Sequence, residues 1–449
     1  MDQKKTIRAW VLYDWANSAY STTMVAAVLP IFFVSVPGKG VGDAAASYWA
    51  YSQSAAMLLL VILSPILGAL ADVSGSKKKL LGAFMLLGVL STALYALVGE
   101  GMLWFAVILT VLGVVGNSGA NSFYDALLPG ITKPENRDRV SAQGYAYGYL
   151  GGGLLLAVNL MMIQKPEWFG LDDLGGIRLA FLSVAVWWLV FSIPLFRRVP
   201  ETKPASAVPA GQAVGLAFRR LGTTLRSLKN YPELLKYLIA FWLFSDGIGT
   251  IIRMATVYGE NIGIGTDHLI AALLITQFVG FPCAMLFGKL AGRFGAKSSL
   301  YASLCVYVVI TILGYFMTSA MHFYLLAVMV GLVQGGSQAL ARSIFTRLIP
   351  IGREAEYFGF MSVWNKFAGM MGPAVFGYVN MIGSSRLGIL ALIAFFVLGI
   401  AMLAFVDLDK GEREAARGAD GVPPRRGGHS LTRARRRGAS TAAPRACPP

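Results

Sequence analysis

Tyr13-Asp14-Trp15-Ala16-Asn17-Ser18-Ala19-Tyr20-Ser21-Thr22-Thr23 is the stretch on which the reading of this chain turns. It lies in a hydrophobic run from about Ala9 to Val34, long enough to cross a bilayer, which takes about 20 residues. A carboxylate in hydrocarbon costs roughly 2.5–3.5 kcal/mol on insertion scales, so it faces a bundle interior or an aqueous path. At about 100° per residue, Asp14, Asn17, Ser18 and Ser21 fall on one face, flanked by Tyr13 and Tyr20. The helix carries one polar seam.

The rest of the chain agrees with a membrane bundle. Of 449 residues, 56% are hydrophobic and 14% charged, against roughly 25% charged in soluble domains. Twelve apolar segments read as spans: 9–34, 47–71, 80–98, 103–128, 140–163, 176–196, 234–258, 268–291, 299–317, 322–348, 357–382 and 387–406. The first lacks a small-residue cleavage site and contains Asp14, so it is expected to stay in the mature chain. The net charge of +16 would suggest nucleic acid in a soluble protein, but the excess sits in loops and tail, where membrane topology places it. Cys283, Cys305 and Cys447 have no paired spacing, so neither a disulfide framework nor a metal site is implied.

Loop charge sets the expected orientation. Alternate connections hold Lys4, Lys5 and Arg8; Lys77, Lys78 and Lys79; Lys133, Arg137 and Arg139; the segment 197–231; Arg293 and Lys297; Arg347 and Arg353; and the tail. The opposite connections are poor in Lys and Arg and hold Asp43, Glu100, Glu167, Asp172, Asp173, Glu260 and Asp267. Both termini are expected in the cytoplasm.

An internal repeat divides the chain. Gly68 to Lys77 aligns with Gly288 to Lys297, Asn117 to Pro129 with Gln338 to Pro350, and Asp14 with Asp246. The expected organisation is a six-helix half over 1–197, a basic linker over 198–233, a second half over 234–406 and a disordered basic tail over 407–449. Within the linker, Phe218, Leu221, Leu225 and Leu228 share a helical face opposite Arg219, Arg220, Arg226 and Lys229. That pattern fits a short helix on the inner leaflet or a solvated charged linker.

Gly68-Ala69-Leu70-Ala71-Asp72-Val73-Ser74-Gly75-Ser76-Lys77 resembles the loop motif of the major facilitator superfamily. Val73 replaces the usual basic residue, and Gly292 replaces the Asp in the second copy. A narrower resemblance rests on the first-span string, Gly148-Tyr149-Leu150-Gly151-Gly152-Gly153, Asp246-Gly247 with Arg253, Gln338-Ala339-Leu340-Ala341-Arg342-Ser343, and Tyr357-Phe358-Gly359-Phe360. These look like the vacuolar amino-acid effluxer (autophagy-related) family and its bacterial relatives. The resemblance implies an all-α protein of twelve transmembrane helices in two pseudo-symmetric halves, with spans one, four, seven and ten lining a central cavity. It also implies that Asp72 meets the start of the eleventh span, near Glu356 to Gly359, where a carboxylate suits a helix's positive end.

Asn117, Asn121, Tyr124 and Asp125 share a face of the fourth span, and Gln334, Gln338 and Arg342 follow at i, i+4 and i+8 in the tenth. Any single amide of this kind is explained by interhelical hydrogen bonding; the matched set reads as cavity lining. Asn17, Tyr20, Ser21, Asn117, Arg253, Gln334 and Gln338 are the candidate solute contacts. Asp14, Asp72, Asn121, Asp125, Asp246, Arg342 and Lys366 are the candidate gating or coupling residues. Arg253 either binds a carboxylate-bearing or zwitterionic solute or forms an internal salt bridge with Asp246, two turns away. Gly144, Gly148 and Gly152 give a close-packing face in the fifth span, and Pro373 is expected to bend the eleventh.

No catalytic constellation, phosphate loop or nucleophile elbow is present, and His268, His322 and His429 are scattered. The expected function is secondary transport of a small solute, with amino acids and efflux as what the resemblance implies, not an enzyme and without cofactor. It would be driven by an ion or proton gradient, in a bacterial inner membrane, as a monomer. Anionic lipid is the expected partner of the basic linker and tail, and nucleic acid is not expected. The alternatives are a non-transporting sensor or scaffold and, less favoured, a membrane-embedded enzyme. If Arg253 holds the solute, Arg253→Lys and Arg253→Gln lower flux in vesicles; unchanged flux overturns the assignment.

Overall fold

The computed structural model describes residues 3–41, 44–201, 228–361 and 385–419, with 215, 219, 364, 371, 372, 375, 376 and 379 between them. Among the described residues the regular elements are all helical. α1 (Gln3–Ala19) runs into a π-helical segment (Tyr20–Ala27) and then α2 (Leu29–Ser35). α3 (Ala44–Ser74), α4 (Lys77–Leu94), α5 (Leu103–Ile131), α6 (Arg137–Gln164) and α7 (Asp173–Arg198) complete the N-terminal segment. The C-terminal segment holds α8 (Pro232–Asn261), α9 (Thr266–Phe294), α10 (Ala296–Tyr315) and α11 (Ala320–Leu348). After a helical stretch at 354–361 come α12 (Ser385–Ala391), α13 (Ile393–Ala404) and α14 (Leu408–Ala419). Nine helices are long and apolar enough to cross a membrane among the described residues, and eleven if each of two bent pairs counts as one span. The chain is a multi-pass integral membrane protein.

The first expected span is not one regular helix. Gln3–Ala27 and Leu29–Ser35 meet at 43°, where the Val28 N–H reaches back five residues to the Thr23 carbonyl at 2.8 Å and Pro30 has no N–H to continue the ladder. The wider π turn lets adjacent threonines both hold α6: Thr22 Oγ1 donates to the Gly152 carbonyl at 3.2 Å, and Thr23 Oγ1 to Asn159 Oδ1 at 3.0 Å. The expected second span is a longer helix, α3, with a 40° bend between Tyr51–Ser64 and Ile66–Ser74. The last expected span is broken into α12 and α13.

The repeat seen in sequence recurs in the packing. Gly75 (φ 61°) and Gly295 (φ 87°) make the left-handed turns after α3 and α9. Each turn is followed by a lysine that caps a distant helix end: Lys78 Nζ donates to the Phe196 and Val199 carbonyls at 2.9 and 2.6 Å. Lys297 Nζ does the same for Ala404 and Val406 at 3.2 and 2.6 Å. A Cβ on Gly68 of α3 would overlap the Ala355 carbonyl, and one on Gly288 of α9 would lie 2.7 Å from the Ala142 Cβ of α6. Each glycine therefore brings one segment against the other.

The expectation of a wholly disordered tail is corrected over its first part. Leu408–Ala419 is a helix, α14, with Gly411 against Leu348 and with Glu414 and Ala415 buried. Glu233, at the start of α8, accepts from the Asp407 N–H and from Lys410 Nζ, both at 2.9 Å. Polar side chains hold this helix in place of an apolar stripe. Burial pushes the Glu414 carboxyl up, against the pull of Lys410. The linker face at 218–228 lies outside the described residues apart from Arg219 and Leu228, as do Lys366 and Pro373.

α4 and α5 approach closely because glycine meets glycine. A Cβ on Gly116 would overlap the Gly88 backbone N–H, which cannot swing aside as a side chain can. Gly116→Ala should cost about 1–3 kcal/mol and lower the melting temperature by scanning fluorimetry. Gly40→Ala, whose Cβ meets nothing within 4 Å, should not.

A candidate solute path closed at its basic end

The four residues of the polar seam do not share one environment. Asp14 and Asn17 are buried, Ser18 is half-buried and Ser21 is exposed. Asp14 and Ser18, with Thr22, lie against the glycine face of α6, which explains why those positions hold no side chain. A Cβ on Gly144 would strike Asp14, one on Gly148 would lie 2.6 Å from Ser18 Oγ, and one on Gly152 would lie 2.9 Å from Thr22 Cγ2. The C-terminal segment has a matching contact. Asp246 Oδ2 accepts from the Gly372 N–H at 2.8 Å, and a Cβ on Gly372 would fall on Thr250 Oγ1.

Arg342 of α11 is the centre of the interface between segments. Its Nη1 donates to Asp125 Oδ1 at 2.9 Å, Nη2 lies 3.4 Å from Asp14 Oδ2, and Nε and Nη2 donate to Ser141 Oγ and the Ser141 carbonyl, both at 2.9 Å. The rings of Tyr145, Trp10 and Tyr124 surround the guanidinium at 4.4, 4.9 and 5.7 Å. Tyr124 also donates its hydroxyl to Asp14 Oδ2 at 2.8 Å. A buried charge is tolerated only with such a set of partners, and removing one from a buried ion pair costs about 3–5 kcal/mol.

Two further links close the same end. Arg137 Nη1 donates to the Thr346 carbonyl at 2.8 Å, and Arg347 is paired with Asp138. Asp72 accepts from the Ala355 and Glu356 N–H groups at 3.2 and 2.8 Å, as its place in the loop motif implies, while Lys77 bridges Asp72 and Glu354 at 2.8 and 2.7 Å. Burial would push the Glu354 carboxyl up, but the Lys77 ammonium and the Gly352 amide hold it below the usual glutamate range. Its contribution is therefore present at neutral pH and is lost only as pH falls through that lowered value. Gly292, which stands where the second motif copy would have Asp, has nothing within 4 Å of its Cβ position.

The candidate solute contacts fall into three groups. Asn17 links two amides of α5: Asn117 donates to Asn17 Oδ1, and Asn17 Nδ2 donates to Asn121 Oδ1 at 2.7 Å. Tyr20 is buried in the N-terminal segment, its ring 5.5 Å from that of Trp188. Ser21 is exposed, and Gln334 and Gln338 are half-buried, with Gln338 Oε1 accepting from the Tyr149 hydroxyl at 3.1 Å. The Arg253 side chain lies outside the described residues, so its pairing with Asp246 does too. Among the described residues, the hydrogen bonds joining the two segments run from Tyr149–Gln338 to the basic end and no further.

The sequence reading missed Ser141, Tyr145 and Tyr149. They recur at i, i+4 and i+8 along α6, a polar stripe beside the glycines read as a close-packing face.

A family model described as "Vacuole effluxer Atg22 like" matches residues 35–416. The "Uncharacterized MFS-type transporter YxiO" of Bacillus subtilis (strain 168) is 37% identical over 407 residues, 90% of this chain and 95% of that protein. Autophagy-related protein 22-1 of Aspergillus niger is 26% identical over 301 residues, 62% of this chain and 48% of its own length. Two solved structures share the fold. The human organic anion transporter MFSD10 (TETRAN) has a TM-score of 0.70 at 14% identity, over 90% of this chain and 100% of that one. The proton:xylose symporter XylE has a TM-score of 0.64 at 17% identity, over 91% and 96%.

If Arg342 holds the basic end shut, Arg342→Gln opens it. A cysteine placed at Thr346, buried at that end, in a variant lacking the native cysteines, should then react faster with a maleimide. An unchanged rate overturns the assignment.

Proposed function

The chain belongs to the vacuole effluxer Atg22-like family of membrane transporters, and from that membership we propose that it moves a small solute by secondary active transport. In this reading twelve spans form two six-span halves that rock about a central site and open it to one membrane face at a time. The basic end is cytoplasmic, as loop charge suggests, in the inner membrane of a bacterium. The observation that carries the reading is the buried contact of Arg342 with Asp14 and Asp125. It joins the two segments at one end only, which is what a gate that must break and reform requires.

With the basic end sealed and no described hydrogen bond between segments beyond Tyr149–Gln338, this conformation is read as open toward the opposite face. Ser21, Gln334 and Gln338 are then the nearest solute contacts in this state. Asn17 and Asn117 reach the solute only by giving up the hydrogen bond between them and, for Asn17, the one to Asn121. We assign a zwitterionic or carboxylate-bearing solute, amino acids first, on the strength of Arg253 and the amide-rich stripes. Efflux is the direction that the family description favours.

The charges also support coupling to protons. Two carboxylates share one guanidinium, so the buried cluster carries an excess negative charge while both are ionised. A proton taken up by Asp125 or Asp14 balances it. Radiolabelled amino-acid flux in proteoliposomes, with and without a pH gradient, tests the proposal. The wild type should respond to the gradient, whereas Asp125→Asn should transport at a rate that no longer depends on it. Full gradient dependence in Asp125→Asn removes the coupling assignment; absence of amino-acid flux under both conditions removes the solute class.

A further inference from the structure

Several cations at the basic end are already neutralised within the protein. Lys77, Arg342, Arg347 and Arg353 pair with carboxylates, and Arg137 with a carbonyl. Arg8, Arg197 and Arg198 are different. All three are exposed, and among the described residues none meets a carboxylate or a hydrogen-bond acceptor. They converge on a cleft of about 180 Å³ between α1 and α7, whose other walls are Ala9, Leu12, Ile193 and Pro194.

The helices explain the cleft. Deeper in the membrane α1 and α7 are sealed together: the Trp15 and Trp187 rings stack at 5.4 Å, and Trp187 Nε1 donates to the Trp15 carbonyl at 3.2 Å. Two turns nearer the basic end stands Pro194, which cannot donate to the Val190 carbonyl. There the wall of α1 shrinks to Ala9 and the seam opens between the arginines. Repeat logic offers no account of this charge, since the corresponding caps on α7 and α13 are lysines from other helices.

We propose that this cleft binds the phosphate of an anionic glycerophospholipid. Guanidinium forks match phosphate oxygens in pairs and are weakly enough hydrated to give up water for them. The depth is that of a headgroup, at the interfacial end of two spans where basic residues meet anionic lipid. A lipid is favoured over a soluble phosphate by what adjoins the arginines. Ile193 is itself a wall of the cleft, and Val190, Leu189 and Val186 continue from it at i−3, i−4 and i−7 as an exposed apolar row along α7. That row offers an acyl chain a track running inward from the phosphate. The site uses Arg197 and Arg198, where the basic linker begins, together with Arg8 of α1, and not the cluster at 219–229 or the tail.

The test uses the full-length protein in detergent, with bound lipid counted by native mass spectrometry and melting followed by scanning fluorimetry. Dioleoylphosphatidylglycerol, dioleoylphosphatidylcholine and inorganic phosphate are added separately. Phosphatidylglycerol should be retained and should raise the melting temperature, whereas the other two should do neither. R8Q/R197Q/R198Q should lose phosphatidylglycerol affinity by about fivefold for each arginine removed. K79Q/K133Q/R139Q removes the same charge from exposed positions at the same end and should keep it. The proposal is overturned if the arginine variant binds as the wild type does, or if the control loses as much. It is also overturned if inorganic phosphate stabilises as well as the lipid, which would make the cleft a soluble-anion site.

Discussion

A guanidinium buried between two helical segments must find an acceptor for every N–H it carries, and much of this interface is arranged to supply them to Arg342. Asp14 comes from α1, Asp125 from α5, and Ser141 from the first turns of α6. Three helices of the N-terminal segment are thus positioned by one side chain of the C-terminal segment. The aromatic rings around it exclude water, which strengthens each of these contacts and makes each loss expensive. The glycine face of α6 follows from the same requirement. Asp14 reaches Arg342 only because Gly144 has no side chain in its way.

Contacts of this kind are stable or absent, with little between. Asp72 meets two backbone N–H groups, Lys77 meets two carboxylates, and Arg347 meets Asp138, all at the same end. The contacts among these that cross between the segments do not survive a separation of several ångströms, so opening that end would break them together. The opposite end has no comparable hydrogen bonds between segments among the described residues. An interface of charges on one side and small residues through the middle is suited to pivoting, since glycine-on-helix contacts slide without losing a hydrogen bond.

Much of this was legible in sequence because membrane burial makes polar residues informative. Asp14, Asn17 and Ser18 sharing a face, the period-four glycines of α6 and the loop carboxylate at Asp72 each carry a physical constraint that residue type and spacing express. What spacing does not express is the partner. Asn17 and Asn117 each stand on a polar seam in the sequence, yet nothing in their periodicity says that Asn117 donates to Asn17. The π turn at Tyr20–Ala27 was invisible for a related reason: a pattern read at 3.6 residues per turn assumes the register that this segment breaks. α14 was missed because its docking uses Gly411, Ala415 and charged side chains, and none of these looks like a helix seeking a core.

The two copies of the loop motif show how a repeat becomes asymmetric without losing its shape. Both keep the glycines that set the turn and the close approach, Gly68 and Gly75 in one and Gly288 and Gly295 in the other. Only the first keeps the carboxylate. At the second, the start of α6 is held from a different direction, by Arg347 on Asp138 and Arg137 on the Thr346 carbonyl. Arg347 also lies 3.8 Å from Glu412 of α14. The cation of each lock therefore has an anion within reach on its own segment: Glu412 for Arg347 and Asp72 for Lys77. Neither cation depends on the other segment alone, so the two locks differ in what their carboxylate meets: Asp72 the backbone N–H groups of Ala355 and Glu356, Asp138 the Arg347 side chain.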